Sequence, residues 1–420
     1  MTDPELVRRV AVVVYHSSPL VDAGSGDAGG MTIFVRGLAE ALSRKGLRTD
    51  IFTRRDGDRP RIVTLSEGVR VISIDEGPPE RVEKSDQLAF IPDFIAGVRA
   101  FTTTTRMRYD LVHSHYWQSG LAGKELSRLW NVPLVHSNHT LGKVKNRFLA
   151  PGELPEGPER LAGEAAVIAA SHVLAVSTDQ EVEQLSSFYG ASHDRIKTVH
   201  PGVDHSLFEP SIPRQEAREA LGLTDEATLL YVGRIQPLKG LELAIRSTEE
   251  LSGAMEQDVV LLVVGGASGR DGEAEVQRLR ELSRSLGIED RVRFLGPRPH
   301  TSLPSIYRAS DVVVVGSHTE SFGLAALEAH ACGIPVVGTA VGGLSHIVGD
   351  GTTGYLVEQR DPSVFAARLK TLLSDGSLRT DFGRAAFERA RNFDWDRSAS
   401  EFLELYECLV AESDPELCTC

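Results

Sequence analysis

The 420-residue chain has only four cysteines, and it lacks any apolar run of the ~20 residues needed to span a bilayer. Two of the cysteines, Cys418 and Cys420, lie in the C-terminal tail, and so few thiols predict no disulfide framework. Residues 1–5 are acidic where a secretory signal is basic and then apolar. We therefore predict a cytoplasmic protein with no membrane partner.

The chain also lacks an excess of positive charge. It has 45 Lys and Arg residues against 59 Asp and Glu residues, so its formal net charge is −14. Charge of this sign disfavours binding to nucleic acid, and no nucleic-acid partner is expected. An anionic ligand must instead be bound locally by helix N-termini, glycine loops or a few cations.

Short β-branched runs alternate with helical patterns along the chain, which is typical of parallel sheets with crossover helices. Seven runs precede a proline-marked break at residues 205–214, and six follow it. The chain is also longer than one hydrophobic core usually supports. We predict an α/β protein of two Rossmann-like, doubly wound domains, residues 1–205 and 206–397, that face each other across a cleft.

A glycine-rich stretch at residues 24–31 follows the first predicted strand and precedes a helical pattern at residues 33–42. Adjacent glycines at such a turn let backbone N–H groups approach a phosphate. The spacing differs from the dinucleotide fingerprint. From this stretch alone, a phosphate site and a flexible surface loop are equally good interpretations.

Arg234 and Lys239 lie five residues apart on the loop after the first predicted strand of the second domain. A planar guanidinium and a compact ammonium together suit a diphosphate leaving group. The alternative is a pair of solvated surface charges. The location at the C-terminal end of a strand favours the functional interpretation.

Two carboxylates, Glu320 and Glu328, accompany a helix predicted over residues 322–331, and Glu328 would lie about two turns inside it. Free N–H groups would give the helix start a positive potential suited to phosphate, and they belong to Phe322, Gly323 and Leu324. Glu328 can accept two ribose hydroxyls, and Glu320 can reach the hydroxyls of a sugar. Glutamates near a helix start are often only a charge preference. Three anion-compatible features at strand ends nevertheless favour a site.

Two histidine-rich segments, residues 113–117 and 136–140, each end a predicted strand of the first domain. Alternating histidines share one face of a strand, but no carboxylate completes a metal-ligand set. We predict that these polar groups face a substrate and that they bind no metal. A hydrogen-bonded core histidine is the alternative.

Together these motifs resemble those of the retaining GT-B glycosyltransferases, the family that includes sucrose-phosphate synthase. Within that family the chain is similar to the D-inositol 3-phosphate glycosyltransferases of mycothiol biosynthesis. The similarity spans about residues 9–400. Its motifs lie at residues 16–20, 26–31, 113–117, 139–141 with 144–146, 200–203 and 233–239.

The resemblance implies a retaining glycosyltransferase that needs neither a metal nor a cofactor and uses a nucleoside diphosphate sugar, with UDP or GDP, as donor. Arg234 and Lys239 would stabilise the departing diphosphate, assisted by the backbone of Gly29 and Gly30 and by the helix start after Glu320.

The remaining donor contacts follow from the same resemblance. Glu328 would bind the ribose, Glu320 the donor sugar, and the backbone beside Arg298 the base. His139 would lie beneath the transferred sugar and offer its backbone carbonyl to the oxocarbenium-like centre. A final helix, at about residues 398–420, would cross back to the first domain.

The implied acceptor is a small molecule, and the residues that would bind it are Thr32, Lys84, Tyr116, Thr140 and Arg160. Thr32 stands where the inositol-phosphate enzymes have Asn, and the segment around Lys84 is shorter than theirs. This departure favours a relative in actinobacterial secondary metabolism, such as the lincosamide-pathway enzyme that joins a GDP-activated sugar to the thiol ergothioneine.

Three alternatives stay open. The first is transfer from UDP-GlcNAc to inositol 3-phosphate. The second is a UDP-sugar epimerase of the same architecture, although epimerases lack the combination of Arg234 and Lys239 with Glu320 and Glu328. The third is a catalytically silent nucleotide-sugar sensor. A homodimer is compatible with each of these.

Overall fold

The computed structural model describes residues 7–413, apart from residues 23, 25, 27, 56, 79–81, 83–85, 210–211 and 270. Lys84, Cys418 and Cys420 therefore lie outside the described residues. Within the described residues the strands form two sheets, one of eight strands and one of six. No helix in this part of the chain is both long and apolar enough to cross a membrane.

The first sheet has the order β3-β4-β2-β1-β5-β6-β7-β8. Its strands are β1 (Arg9–Val13), β2 (Arg48–Arg54), β3 (Ile62–Ser66), β4 (Val69–Ile74), β5 (Leu111–His115), β6 (Leu134–Ser137), β7 (Val173–Val176) and β8 (Ile196–Thr198). The pairs are parallel except β3 with β4. The strand order reverses between β1 and β5, and ligands of open α/β sheets bind at such a switch point.

The second sheet has the order β11-β10-β9-β12-β13-β14, and its pairs are parallel. Its strands are β9 (Ala227–Val232), β10 (Val259–Val264), β11 (Val292–Gly296), β12 (Val312–Val315), β13 (Val336–Thr339) and β14 (Gly354–Val357). The switch point lies between β9 and β12. Every residue of β10 is buried, because helices cover both faces of a parallel sheet.

Helices connect the strands of both sheets. They are α1 (Gly30–Arg44), α2 (Ile91–Thr105), α3 (Trp117–Trp130), α4 (Gly142–Arg147), α5 (Pro158–Ala170), α6 (Asp179–Tyr189), α7 (His205–Phe208), α8 (Arg214–Ala220), α9 (Leu241–Ala254), α10 (Gly272–Ser285), α11 (Leu303–Ala309), α12 (Leu324–Ala331), α13 (Leu344–Ile347), α14 (Pro362–Ser374), α15 (Gly376–Ala390) and α16 (Trp395–Ser413). The predicted break at residues 205–214 thus includes the short helix α7, and α8 begins at its last residue.

The last helix, α16, packs on α1 although it follows the second domain in sequence. Trp395, Phe402 and Tyr406 are buried in the same core as β1 and α1. A Cβ atom at Gly37 of α1 would overlap the ring of Trp395, so only glycine permits this close approach. The helix begins at Trp395, three residues earlier than predicted, and the domain limits at 205 and 397 stay predictions.

Candidate active site

The carboxyl ends of the two sheets face each other across a cavity of about 460 Å³. Its walls include residues that follow β1, β5, β6 and β7 in the first domain and β9, β10, β11 and β12 in the second. Predicted site residues that line it are Gly29, Gly30, Tyr116, His139, Thr140, Arg160, Arg234, Lys239, Arg298, Glu320, Phe322, Gly323, Leu324 and Glu328. Thr32 is instead buried on α1 and is not part of the lining.

The glycine loop lies against the second domain. The backbone N–H of Gly266 donates a hydrogen bond to the carbonyl of Gly24 over 3.0 Å. A Cβ atom at Gly29 would lie 3.1 Å from Nε of Arg234, and one at Gly30 would lie 3.4 Å from Leu324. The glycines therefore allow the first domain to approach the cationic loop closely, and the phosphate role of this loop stays a prediction.

Lys239 and Glu320 form an ion pair in the wall of the cavity. The Nζ atom of Lys239 lies 2.6 Å from Oε2 of Glu320, and Ser317 Oγ donates to the same oxygen over 3.1 Å. Nearby, Tyr231 OH donates to the carbonyl of Arg234 over 3.0 Å and fixes that loop. Both predicted cations are thus held at the cleft by neighbouring groups.

The segment before α12 differs from its prediction. The helix begins at Leu324 rather than at residue 322, because Gly323 has a left-handed φ of +103° that ends the preceding turn. Glu328 consequently lies about one turn inside the helix, not two. The N–H of Gly343 donates to the carbonyl of Glu320 over 2.9 Å and holds the segment in place.

Glu328 is buried, and both of its carboxylate oxygens have partners. His300 Nε2 lies 2.7 Å from Oε1, and Tyr307 OH donates to Oε2 over 2.9 Å. The sequence analysis missed both partners, because no motif connects residues that lie 28 and 21 positions away. Burial alone would lower the pKa of His300, but the carboxylate of Glu328 outweighs it, and the pKa is raised.

Replacing His300 with glutamine should destabilise the protein more at pH 6 than at pH 9. The folded state raises the pKa of His300 above its ordinary value of 6.5, so the ion pair with Glu328 contributes fully below pH 6.5. That contribution is lost as the pH rises through the folded pKa. Urea denaturation should show a cost of about 1–3 kcal/mol at pH 6.

Tyr307→Phe is the matched control for that experiment. It removes the other hydrogen bond to Glu328 and no imidazole, so its cost should be the same at both pH values. A cost of His300→Gln that does not change with pH would contradict the ion pair.

His139 has a left-handed backbone with φ of +58°, which is uncommon for a residue other than glycine. Its Nε2 atom lies 2.9 Å from Nδ1 of His115, so the imidazole points into the first domain. Its carbonyl accepts a hydrogen bond from Ser321 Oγ of the second domain. Burial lowers the pKa of His139 to about 3, and the ring is therefore neutral at pH 7.

Three histidines of the two segments correspond to the alternative of hydrogen-bonded core residues rather than to the predicted substrate-facing groups, whereas Tyr116, His139 and Thr140 line the cavity. His113, His115 and His136 are buried, and they do not line the cavity. Tyr406 OH lies 2.7 Å from His113 Nδ1, and Ser114 Oγ lies 2.8 Å from His136 Nδ1. The strands carrying them are covered on both faces, so their side chains end in the core.

Three of the predicted acceptor residues lie together at one end of the cavity. Arg160 Nη2 donates to Thr140 Oγ1 over 3.0 Å, and its guanidinium lies 5.2 Å from the ring centroid of Tyr116. Glu164, which is fully buried, accepts from Arg160 Nε over 2.8 Å.

Within the described residues, no group of three or more His, Cys, Asp or Glu side chains is placed to hold a metal ion.

Residues 29–202 match the family model of the glycosyl transferase 4-like domain, and residues 213–389 match that of glycosyl transferases group 1. The D-inositol 3-phosphate glycosyltransferase of Xylanimonas cellulosilytica is 44% identical over 406 residues, which are 95% of this chain and 96% of that protein. The chain belongs to the group 1 glycosyltransferases.

Further comparisons of this glycosyltransferase support the same family. D-inositol 3-phosphate glycosyltransferase 2 of Catenulispora acidiphila is 44% identical over 423 residues, which are 98% of this chain and 99% of that protein. Sucrose-phosphate synthase from Thermosynechococcus elongatus superposes with a TM-score of 0.88 at 32% identity, over 96% of this chain and 100% of that one. The predicted GT-B fold and enzyme class are confirmed, whereas the roles of individual site residues stay predictions.

Proposed function

We propose that this glycosyltransferase moves a sugar from UDP-GlcNAc to inositol 3-phosphate, with retention of anomeric configuration. Full-length similarity to proteins named for that acceptor supports the proposal. So does the position of Tyr116, Thr140 and Arg160 at one end of the cavity, because a guanidinium with hydroxyl groups suits a phosphate.

The observation that carries the transferase chemistry is the cationic wall formed by Arg234 and Lys239. Negative charge develops on the diphosphate as its bond to the sugar breaks, and fixed cations stabilise that charge without reorganisation. Glu320 holds Lys239 in place and would also bind sugar hydroxyls. The carbonyl of His139 would face the oxocarbenium-like centre while the acceptor hydroxyl attacks from the side of the leaving phosphate, which takes the proton.

The comparisons favour this acceptor over the other hypotheses. The relatives named above give no support to a thiol acceptor, a GDP-activated donor or a role in secondary metabolism. They are named as transferases, which also argues against an epimerase.

The purified enzyme should form GlcNAc-inositol phosphate and UDP from UDP-GlcNAc and inositol 3-phosphate, detected by mass spectrometry, with EDTA present. Turnover of the donor should depend on the acceptor, since an epimerase would convert UDP-GlcNAc alone. Thermal shifts measured with UDP, GDP and ADP should identify the base of the donor, since the nucleotide that binds best stabilises the enzyme most. The effect is measurable, because a ligand at 100 times its Kd adds about 2.7 kcal/mol of stability.

Two results would contradict the proposal. One is a stabilisation by GDP that exceeds that by UDP, together with transfer to ergothioneine. The other is an unchanged mixture of UDP-GlcNAc and inositol 3-phosphate in the presence of an enzyme that binds UDP.

A further inference from the structure

A carboxylate bridges two cations at the acceptor end of the cavity. Glu156 Oε1 lies 2.9 Å from Lys145 Nζ and 2.8 Å from Arg160 Nη1. The three residues line the cavity beside Thr140 and Tyr116. One carboxylate oxygen therefore occupies the place between two cations where an anionic group of a ligand would bind.

The backbone of Glu156 is fixed independently of its side chain. Its N–H donates to Oδ1 of Asn146 over 2.6 Å, and its carbonyl accepts from Nδ2 of Asn146 over 3.1 Å. This clamp joins the loop before α5 to helix α4, which carries Lys145. The side chain of Glu156 can thus turn about its own bonds while the loop stays in place.

The two cations are already matched by carboxylates. Lys145 Nζ also lies 3.5 Å from Glu153 Oε1, and Arg160 Nε lies 2.8 Å from Glu164 Oε1. Among the described residues of this cluster, three carboxylates thus face two cations. A phosphate monoester, close to a dianion at neutral pH, is repelled unless one carboxylate moves away.

Glu156 is the least restrained of the three carboxylates, because Glu153 does not line the cavity and also accepts a hydrogen bond from the N–H of Ala150 over 3.0 Å. Glu164 is fully buried and also accepts hydrogen bonds from the N–H of Gly142 and from Tyr189 OH, so it stays with Arg160. The side chain of Glu156 retains 24% of its exposure and borders the cavity. Its departure would leave Lys145 and Arg160 both facing the ligand.

We propose that Glu156 holds the position of the acceptor's anionic group in the free enzyme and that Lys145 and Arg160 bind that group once Glu156 turns away. The inference rests on the proposed function and adds two residues to it, Lys145 as a ligand of the phosphate and Glu156 as its competitor. An acceptor without a strongly anionic group does not displace Glu156 and gains no contact with the two cations.

Glu156→Gln keeps the shape of the side chain and removes its charge. We expect the KM for inositol 3-phosphate to fall by about tenfold, a larger change than that in kcat, because one like charge near the ligand is removed. Lys145→Ala should raise that KM by about tenfold or more. The preference for the phosphorylated over the unphosphorylated polyol should widen with Glu156→Gln.

A binding measurement separates this inference from the proposed function. Inorganic phosphate, titrated by calorimetry in the presence of saturating UDP, should bind Glu156→Gln more tightly and Lys145→Ala more weakly than the parent enzyme. These shifts are expected even if inositol 3-phosphate proves not to be the acceptor. Normal transfer with unchanged phosphate binding in both variants would overturn the inference alone.

Glu242→Gln is the matched control. Glu242 also bridges two cations, with 2.8 Å to Arg246 Nε and 2.8 Å to Arg278 Nη1, but it does not line the cavity. This variant should bind phosphate like the parent enzyme. Weaker phosphate binding by Glu156→Gln would show that the carboxylate only organises the cations, and it would overturn the inference.

Discussion

Replacing Lys239 with alanine is expected to lower the rate of sugar transfer by about 10²-fold or more. The ammonium lies at the cavity wall, held 2.6 Å from Glu320, and its charge is in place before the diphosphate departs. Because the charge it stabilises develops as the bond breaks, the loss should fall mainly on kcat and less on the KM for the donor. Steady-state kinetics with the donor and acceptor at varied concentrations measure both.

Lys370→Ala is the control for that loss. Lys370 lies in the same domain, and its Nζ donates to the carbonyl of Ala254 on the exposed surface, away from the cavity. This variant should keep parental kinetics. Nearly normal turnover by Lys239→Ala would contradict the role of Lys239 at the leaving group.

Replacing Gly342 with alanine should also reduce kcat/KM by about 10²-fold, although Gly342 has no functional group that could take part in the reaction. Its φ is +54°, and a Cβ atom there would overlap the carbonyl oxygen of Glu320. Relief of this overlap must shift the segment that presents Glu320 to the cavity, and a displacement of about 1 Å can cost 10²-fold in rate. Kinetics and the urea midpoint should be measured together.

Gly351→Ala distinguishes the overlap from the cost of the backbone conformation. Gly351 has a φ of +69° and open space around its Cα, so alanine there costs only the left-handed conformation, about 1–2 kcal/mol. We expect reduced stability with full activity for this variant. Equal activity of the two alanine variants would show that the Glu320 segment tolerates displacement.

The parallel strands could be predicted from sequence because buried runs such as Val259–Val264 contain only β-branched and aliphatic residues. Strand β3, Ile62–Ser66, was missed. It is a partly exposed, antiparallel edge strand, so its residues form no continuous apolar run. Likewise, the start of α12 depended on the conformation of Gly323, which a helical pattern does not reveal.

The cationic wall of the site could also be predicted, because Arg234 and Lys239 follow one strand and strand ends of a parallel sheet meet at one edge. Partners that come from distant segments could not be predicted from the sequence. His300 and Tyr307 contact Glu328 from another loop and helix. Glu156 contacts Lys145 only because the folded loop between them brings the two side chains together. The buried histidines were misjudged because their position in the sequence does not show how deep each side chain lies.

Helix α16 has a consequence for the way the chain is made. Trp395, Phe402 and Tyr406 fill the core beneath β1 and α1, yet the ribosome adds them after it has synthesised all of the second sheet. Most multidomain chains complete their N-terminal domain first as they emerge. Here the N-terminal core is completed last, and until residues 395–413 have emerged, the apolar surface around Phe34 lacks its native cover.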